Sequence, residues 1–363
     1  MALNVALIGC GNIAPAYMTG SSKFPDQIRI VACADLDKSR ADEFAAKHGL
    51  RSMPVVDLLA DPTIDIVINL TVPAVHAEVS LQIIAAGKHV YSEKPLALNR
   101  EDGTRILEAA RFAGVKVGCA PDTFLGGGLQ TVRDLIDQGA IGRPVSATAF
   151  MISHGPDAWH PNPFFYFVPG GGPMLDMGPY YLTALVSLLG PMRRVSASTS
   201  RAFDLRVAGA ENVRGQEIPV SVDTHSTGVI DFTSGVAATI IMSFDIWKPY
   251  GPHLEIYGTE GSIRAPDPNN FGGEVQVWTP VTKEWTSVPL TARTDVQRGI
   301  GVADMARAIQ DGSEHLASGA LAYHVLDAML AFDDSSAQER HIHLSSSVSR
   351  PPALAAQLRQ APS

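Results

Sequence analysis

Short apolar runs alternate with helical spacing through the first 120 residues. Asn4–Ile8, Arg29–Ala34, Ile64–Leu70, His89–Ser92 and Val115–Cys119 are rich in Val and Ile and predict strands. Between them, Ala41–His48, His76–Ala86 and Arg100–Ala113 place apolar residues at helical intervals. Such alternation predicts a parallel, doubly wound α/β sheet, because neighbouring parallel strands need a crossover. Beyond residue 122 the pattern changes. Phe124–Gln138 predicts a helix stopped by Gly139, and Val145–Ile152 a strand. A loop rich in Pro, His and aromatic residues follows from His154 to Pro173, then a helix from Met174 to Leu189. Arg194–Arg201, His225–Phe232, Val236–Asp245, His253–Tyr257, Gly261–Arg264 and Glu274–Thr279 then succeed one another as strands. They predict an open, largely antiparallel sheet in an α+β domain. Helical patterns at Val302–Asp311 and Gly319–Glu339 close the region. The expected organisation is an α/β domain over 1–122, an α+β domain over 123–344 and a loose C-terminal tail over 345–363.

Composition narrows the function classes. A chain of 363 residues with 45% hydrophobic and 18% charged side chains fits two globular domains. With 28 Lys and Arg against 37 Asp and Glu, the net charge of −9 argues against a broad nucleic-acid surface. No run approaches the roughly 20 apolar residues of a membrane helix, and no basic segment leads into Val5–Ile8, so a cytoplasmic protein is expected. Cys10, Cys33 and Cys119 form no CxxC pair and read as small buried hydrophobes. His154, Asp157 and His160 lie close together, but Pro156 and Pro161 break any helical ligand face, so no metal is expected. The apolar strands of an open sheet need a cover, which points to a homo-oligomer, dimer or tetramer.

The strongest local motif is Gly9-Cys10-Gly11-Asn12-Ile13-Ala14, a GxGxxA turn after an apolar strand and before a helix. Gly9 permits the tight turn, Gly11 lets backbone approach a diphosphate, and Ala14 lets helix pack on strand. This context predicts a dinucleotide-binding Rossmann domain. Asp35 follows the next strand, 24 residues after Gly11, close to the roughly 20 expected for the acid that binds the adenosine ribose. Its charge favours NAD over NADP. An Asp at a strand end also caps helices, and Lys38 and Arg40 nearby are able to take a phosphate. Thr71-Val72-Pro73 follows a further strand, where the ligand crevice of such sheets lies. His76 stands either at the cofactor or merely in the first turn of a helix.

Glu93-Lys94-Pro95 ends the His89–Ser92 strand. On its own it is a common surface turn. A Lys at the carboxyl edge of a nucleotide-binding sheet is nevertheless suited to proton transfer. Together with the glycine turn, Thr71-Val72-Pro73, His76, Gly170-Gly171-Gly172-Pro173-Met174-Leu175-Asp176-Met177-Gly178 and Tyr257-Gly258-Thr259-Glu260-Gly261-Ser262, it resembles the glucose–fructose oxidoreductase / inositol dehydrogenase (Gfo/Idh/MocA) family. That resemblance implies an α/β Rossmann domain plus an α+β domain with an open sheet often used for oligomerisation, NAD(P) as cofactor, and sugar or polyol substrates. It places Lys94 at the active site. From the residues and the resemblance together, the expected cofactor-binding set is Gly9, Gly11, Asn12, Ile13, Asp35, Thr71, Pro73, His76, Glu93 and Lys94.

One departure stands out. The family pattern continues from Asp to a His, but here Asp176-Met177-Gly178-Pro179-Tyr180-Tyr181 contains none. Tyr180 holds the place four residues after Asp176. A phenol, with a reference pKa of about 10, needs a neighbouring cation to act as a base near neutrality. Lys94 is the expected cation and Asp176 the expected orienting or hydroxyl-binding group. Packing of the helix start is the competing explanation for both tyrosines. Trp159 and His160 in the aromatic loop, His225 at a strand start and Asp122 after the last Rossmann strand complete the expected substrate side.

These residues predict an NAD-dependent oxidoreductase acting on a sugar, glycoside or polyol hydroxyl, with Lys94 as proton acceptor and Tyr180 assisting. A redox-neutral NAD-dependent glycosidase working through a keto-sugar is the alternative. A non-enzymatic NAD-binding sensor is the third.

Overall fold

A computed structural model describes residues 2–248, 251 and 253–359. It divides into two compact units, Met1–Gly126 with Ala292–Leu326 and Leu354–Ser363, and Gly127–Thr291 with Asp327–Ala353. Each unit is therefore assembled from separated stretches of chain.

In the first unit, β1 (Leu3–Ile8), β2 (Ile28–Ala34), β3 (Arg51–Ser52), β4 (Ile66–Asn69), β5 (His89–Ser92) and β6 (Val117–Cys119) form one sheet. Its order is β3-β2-β1-β4-β5-β6 and every pair is parallel. β1 and β4 are buried on both faces, which explains their unbroken apolar runs. The crossovers carry α1 (Ala14–Ser21), α2 (Lys38–His48), α3 (Val55–Ala60), α4 (His76–Ala85) and α5 (Arg100–Ala113). Asn99 caps α5 by accepting the Asp102 N–H at 2.8 Å.

The second unit opens with α6 (Gly127–Asp137), β7 (Pro144–Ile152) and α7 (Gly172–Leu189). The helix expected from Phe124 is interrupted because Gly126 is extended, separating the 3-10 turn Thr123–Leu125 from α6. The strands that follow are β8 (Met192–Ser200), β9 (Leu205–Val207), β10 (Glu217–Pro219), β11 (His225–Phe232), β12 (Ala237–Ser243), β13 (Leu254–Gly258), β14 (Ser262–Ala265), β15 (Val275–Trp278) and β16 (Trp285–Val288). Later in the chain come α8 (Ile300–Asp311), which belongs to the first unit, α9 (Gly319–Gln338), β17 (Ile342–His343) and the short α10 (Ala356–Arg359). The large sheet runs β16-β15-β14-β13-β7-β12-β11-β8-β17. It is mostly antiparallel, but β12 lies parallel to β7, because α7 is a crossover between β7 and β8 and two antiparallel steps, β8 to β11 to β12, follow. Nearly all of α7 is buried, consistent with its lack of a polar face.

The described part of the C-terminal stretch, expected as a loose tail, makes specific contacts. Asp327 accepts the N–H groups of Ser345 and Ser346, each at 2.9 Å. Arg350 donates to Asp137 at 2.8 Å, and Leu354 and Leu358 are buried. Leu354 and Leu358 are four residues apart, too few to show a period amid Ser, Pro and Ala.

Candidate functional site

At the end of β1 the backbone of Gly9 has φ +102°, and a Cβ there would sit 2.7 Å from the Leu70 carbonyl oxygen, so only glycine fits. Its N–H donates to Ala34 O at 2.8 Å, tying the turn to β2. The next N–H, of Cys10, donates to Asp35 Oδ2 at 2.8 Å, and Asp35 Oδ1 accepts the Asp37 N–H at 2.9 Å. Asp35 therefore holds the turn as well as standing at the strand end. The Arg40 guanidinium lies 3.8 Å from it. Gly11 and Asn12 are exposed, and nothing stands within 4 Å of where a Gly11 Cβ would be. Ile13 starts α1 with no side-chain cap, no acidic residue follows in the first turn, and Ala14 is buried. An uncapped, acid-free helix start over an open glycine turn, with a carboxylate at the neighbouring strand end, fits a dinucleotide: diphosphate on the turn, ribose on Asp35.

After β4, Asn69 is buried and accepts from Thr71 Oγ1 at 2.6 Å and Thr71 N at 3.2 Å. Its amide donates to His76 O at 3.0 Å and Ser80 Oγ at 3.1 Å. Pro73 opens a short 3-10 turn that leads into α4. His76, expected at the cofactor, opens α4. It is 1% exposed, with Nδ1 2.8 Å from Pro95 O and Nε2 2.9 Å from Thr71 O. Burial lowers its pKa, against the opposing pull of these two carbonyls. Its ring links two turns.

The turn after β5 is fixed from behind. The Glu93 N–H donates to Asn69 O at 2.9 Å. The Glu93 carboxylate, also buried, accepts Tyr17 OH at 2.9 Å and the Lys94 N–H at 3.1 Å, and Arg298 Nη1 approaches at 3.5 Å. Glu93 thus shapes the turn from inside the fold. Burial, with Glu93 beside it, pushes the Tyr17 phenol pKa up. Lys94 itself is half-buried. Asp122, expected on the substrate side, is 0% exposed, and its Oδ2 accepts the Gly299 and Gly301 N–H groups at 2.9 and 3.0 Å. Burial raises its pKa. It secures the start of α8.

Asp176, Tyr180, Trp159, His160 and His225 belong to the second unit. Asp176 and Tyr180 share one face of α7, four residues apart; Asp176 is half-buried and Tyr180 buried. Tyr181 is fully buried, with its OH 3.0 Å from Asp267 Oδ1 and 3.1 Å from His253 Nδ1; burial and Asp267 push its pKa up. The ends of β7 and β12 and the start of β11 are level, through the pairs His225↔Ser243 and Ser243↔Ile152. His225 Nδ1 lies 3.0 Å from Ser243 Oγ. The aromatic loop leaves from this sheet end. His160 packs edge-on against Phe165 and Tyr166, and Trp159 is 66% exposed. Beneath the loop, Arg206 on β9, its side chain 3% exposed, pairs with Asp157 at 2.9 Å and Asp245 at 2.6 Å. His154 stacks on Trp247 at 3.5 Å between ring centres.

Asn69, Tyr17 and Arg206 escaped the sequence reading. Asn69 lies inside an apolar strand, Tyr17 on a short helix and Arg206 in a stretch with no period; only the adjacency of Asn69 to Thr71 hinted at a role. Among the described residues no group of three or more His, Cys, Asp or Glu side chains is placed to hold a metal, and no helix is long and apolar enough to cross a membrane.

Comparison with known proteins adds to this geometry. Residues 3–120 match the model of an oxidoreductase family with an NAD-binding Rossmann fold, and residues 129–264 that of a GFO/IDH/MocA C-terminal domain. The chain is similar to 1,5-anhydro-D-fructose reductase of Ensifer adhaerens, 30% identical over 261 residues, covering 71% of this chain and 74% of that protein. It is also similar to inositol 2-dehydrogenase 3 of Saccharopolyspora erythraea, 27% identical over 78% of this chain and 80% of the relative. The crystal structure of an NAD-binding oxidoreductase from Klebsiella pneumoniae superposes with a TM-score of 0.81 at 25% identity, covering 95% of this chain and 99% of the other.

Proposed function

Because the chain belongs to the GFO/IDH/MocA oxidoreductase family, we propose that it is an NAD-dependent oxidoreductase of a sugar, glycoside or polyol hydroxyl. The observation that carries this is the Glu93-Lys94 turn. It is fixed by Asn69, Tyr17 and Arg298 at the carboxyl end of β5, next to the strand that leads to the Thr71 turn. The relatives' names, a reductase of anhydrofructose and an inositol dehydrogenase, support the substrate class.

Bound nicotinamide supplies the hydride acceptor for oxidation and the donor for reduction. The backbone of Gly9, Gly11, Asn12 and Ile13 receives the diphosphate, and Thr71 and Pro73 flank the dinucleotide. Asp35 accepts the ribose hydroxyls, and its charge repels a 2′-phosphate, so NAD is preferred over NADP. As the substrate carbon gives up hydride, the Lys94 amine takes the hydroxyl proton; in the reverse direction its ammonium returns that proton to the carbonyl oxygen. Tyr180 assists that transfer and Asp176 accepts hydrogen bonds from substrate hydroxyls. Trp159 offers a ring face to sugar C–H groups, and His160 and His225 bind hydroxyls. The outward face of the large sheet, where Tyr257 bonds Thr148 and Glu255 bonds Arg264, is the surface we assign to self-association.

The test is a panel of sugars, their glycosides, polyols and keto-sugars, offered with NAD(H) and NADP(H) in turn and followed by NADH absorbance. NAD-linked turnover of at least one compound is expected. No absorbance change across the panel overturns the proposal. Release of free sugar from a glycoside without net NADH replaces it with redox-neutral cleavage.

A further inference from the structure

We propose that His76 is a positioning residue that clamps the Lys94 turn to the Thr71 turn, an inference that rests on the function proposed above. Three observations carry it. The imidazole spans the carbonyls of Thr71 and Pro95, so one side chain connects the chain after β4 with the residue that follows Lys94. The clamp is itself held, because Asn69 binds both the Thr71 hydroxyl and the His76 carbonyl. The ring is almost wholly buried, so its contacts do not compete with water.

Both partners are acceptors, and a neutral imidazole donates from one nitrogen only. The tautomer therefore selects which turn is held by a full hydrogen bond. Burial favours the neutral ring, with Glu93 and Lys94 acting on it in opposite directions. No aliphatic or hydroxyl side chain can bridge two carbonyls on opposite sides of a ring. The expected consequence is that losing His76 frees the Lys94 turn while leaving the glycine turn and Asp35 intact. A displacement of about 1 Å at a reacting group costs on the order of 10²-fold in rate.

The experiment compares wild type, His76→Ala and His76→Gln by three readouts. The first is the rate at which an amine-acylating reagent labels Lys94 in the presence of NADH, normalised to Lys38 and Lys116 in the same sample by mass spectrometry. The second is the NADH dissociation constant. The third is kcat against KM on any substrate the panel yields. The proposal expects His76→Ala to change Lys94 labelling at least about threefold while the reference lysines stay constant. It also expects kcat to fall by about 10²-fold with little change in NADH affinity, and His76→Gln, which keeps one donor, to recover part of both effects. Lys94 labelling within twofold of wild type overturns it. So does a parallel rise at all three lysines, which denotes general loosening, or failure of both variants to fold, which leaves His76 a core residue only. If wild type turns over nothing, the dehydrogenase proposal fails, while the labelling ratio still decides the clamp.

Discussion

The two units hold their candidate residues in opposite ways. In the first, the groups around Lys94 face inward: Glu93 is held by Tyr17 and Arg298, Asp122 by two backbone N–H groups, and His76 by two carbonyls. In the second, the aromatic loop carries Trp159 at 66% exposure, and Arg206, buried between Asp157 and Asp245, ties that loop down. Inward-facing, satisfied polar networks tolerate little change. Exposed rings on a braced loop can be exchanged at small cost to the fold.

Substitutions can break or sharpen that contrast. The largest effect is expected at Lys94. Lys94→Ala should lower kcat by about 10²- to 10⁴-fold with NADH affinity nearly unchanged, measured by steady-state kinetics and NADH fluorescence titration. Equal activity would place the proton transfer elsewhere. Next is Arg206→Ala, which leaves Asp157 and Asp245 buried without their cation. A loss of about 3–5 kcal/mol is expected in chemical unfolding of the second unit, with NADH binding intact. A matching loss of NADH affinity would show that the two halves are not independent.

The units should also respond to pH with opposite sign. Burial lowers the pKa of His315, in the first unit, to about 4. Its unfolded value is about 6.5, so the unfolded chain binds more protons between these limits, and stability is lost as the pH falls through that window, by about 3 kcal/mol in full. His76 contributes in the same direction. In the second unit, burial with Asp223 and Asp334 nearby raises the pKa of Asp333 to about 6. There the unfolded carboxyl ionises first, so stability falls as the pH rises from about 4 to about 6. Thermal unfolding of His315→Gln and Asp333→Asn across this range should flatten the acid limb in the first variant and the upper limb in the second. The smallest effect is at the surface: Trp159→Ala should raise KM for the sugar about fivefold, on the order of 1 kcal/mol, with kcat held.

Much of the first unit was visible in the chain because its strands are buried on both faces and its glycine turn is a local geometric necessity at Gly9. Lys94 was visible only as part of a combination of motifs. The roles of Glu93, His76 and Asp122 were not, since a polar residue beside a site looks the same in sequence whether it faces a ligand or its own backbone. Gly299, partner of Asp122, lies 177 residues away, and no spacing rule reaches that far. In the second unit seven of the nine strands of the large sheet were legible, six of them from Gly and Pro punctuation, while β16 and β17 were not. The short β9 and β10, which bring Arg206 beneath the aromatic loop, were too brief to leave a period.

The discontinuity of the first unit bears on how the protein is made. When a ribosome has released residue 126, β6 still lacks the later segment that bridges Gly118 to Ser318 and supplies Ala317 O to the Cys119 N–H. Until then the nascent sheet carries an open border able to pair with other chains. Vectorial synthesis must therefore keep an unfinished nucleotide-binding half out of aggregates while the whole second unit is being translated, and a fragment ending at that border should be poorly behaved when produced alone.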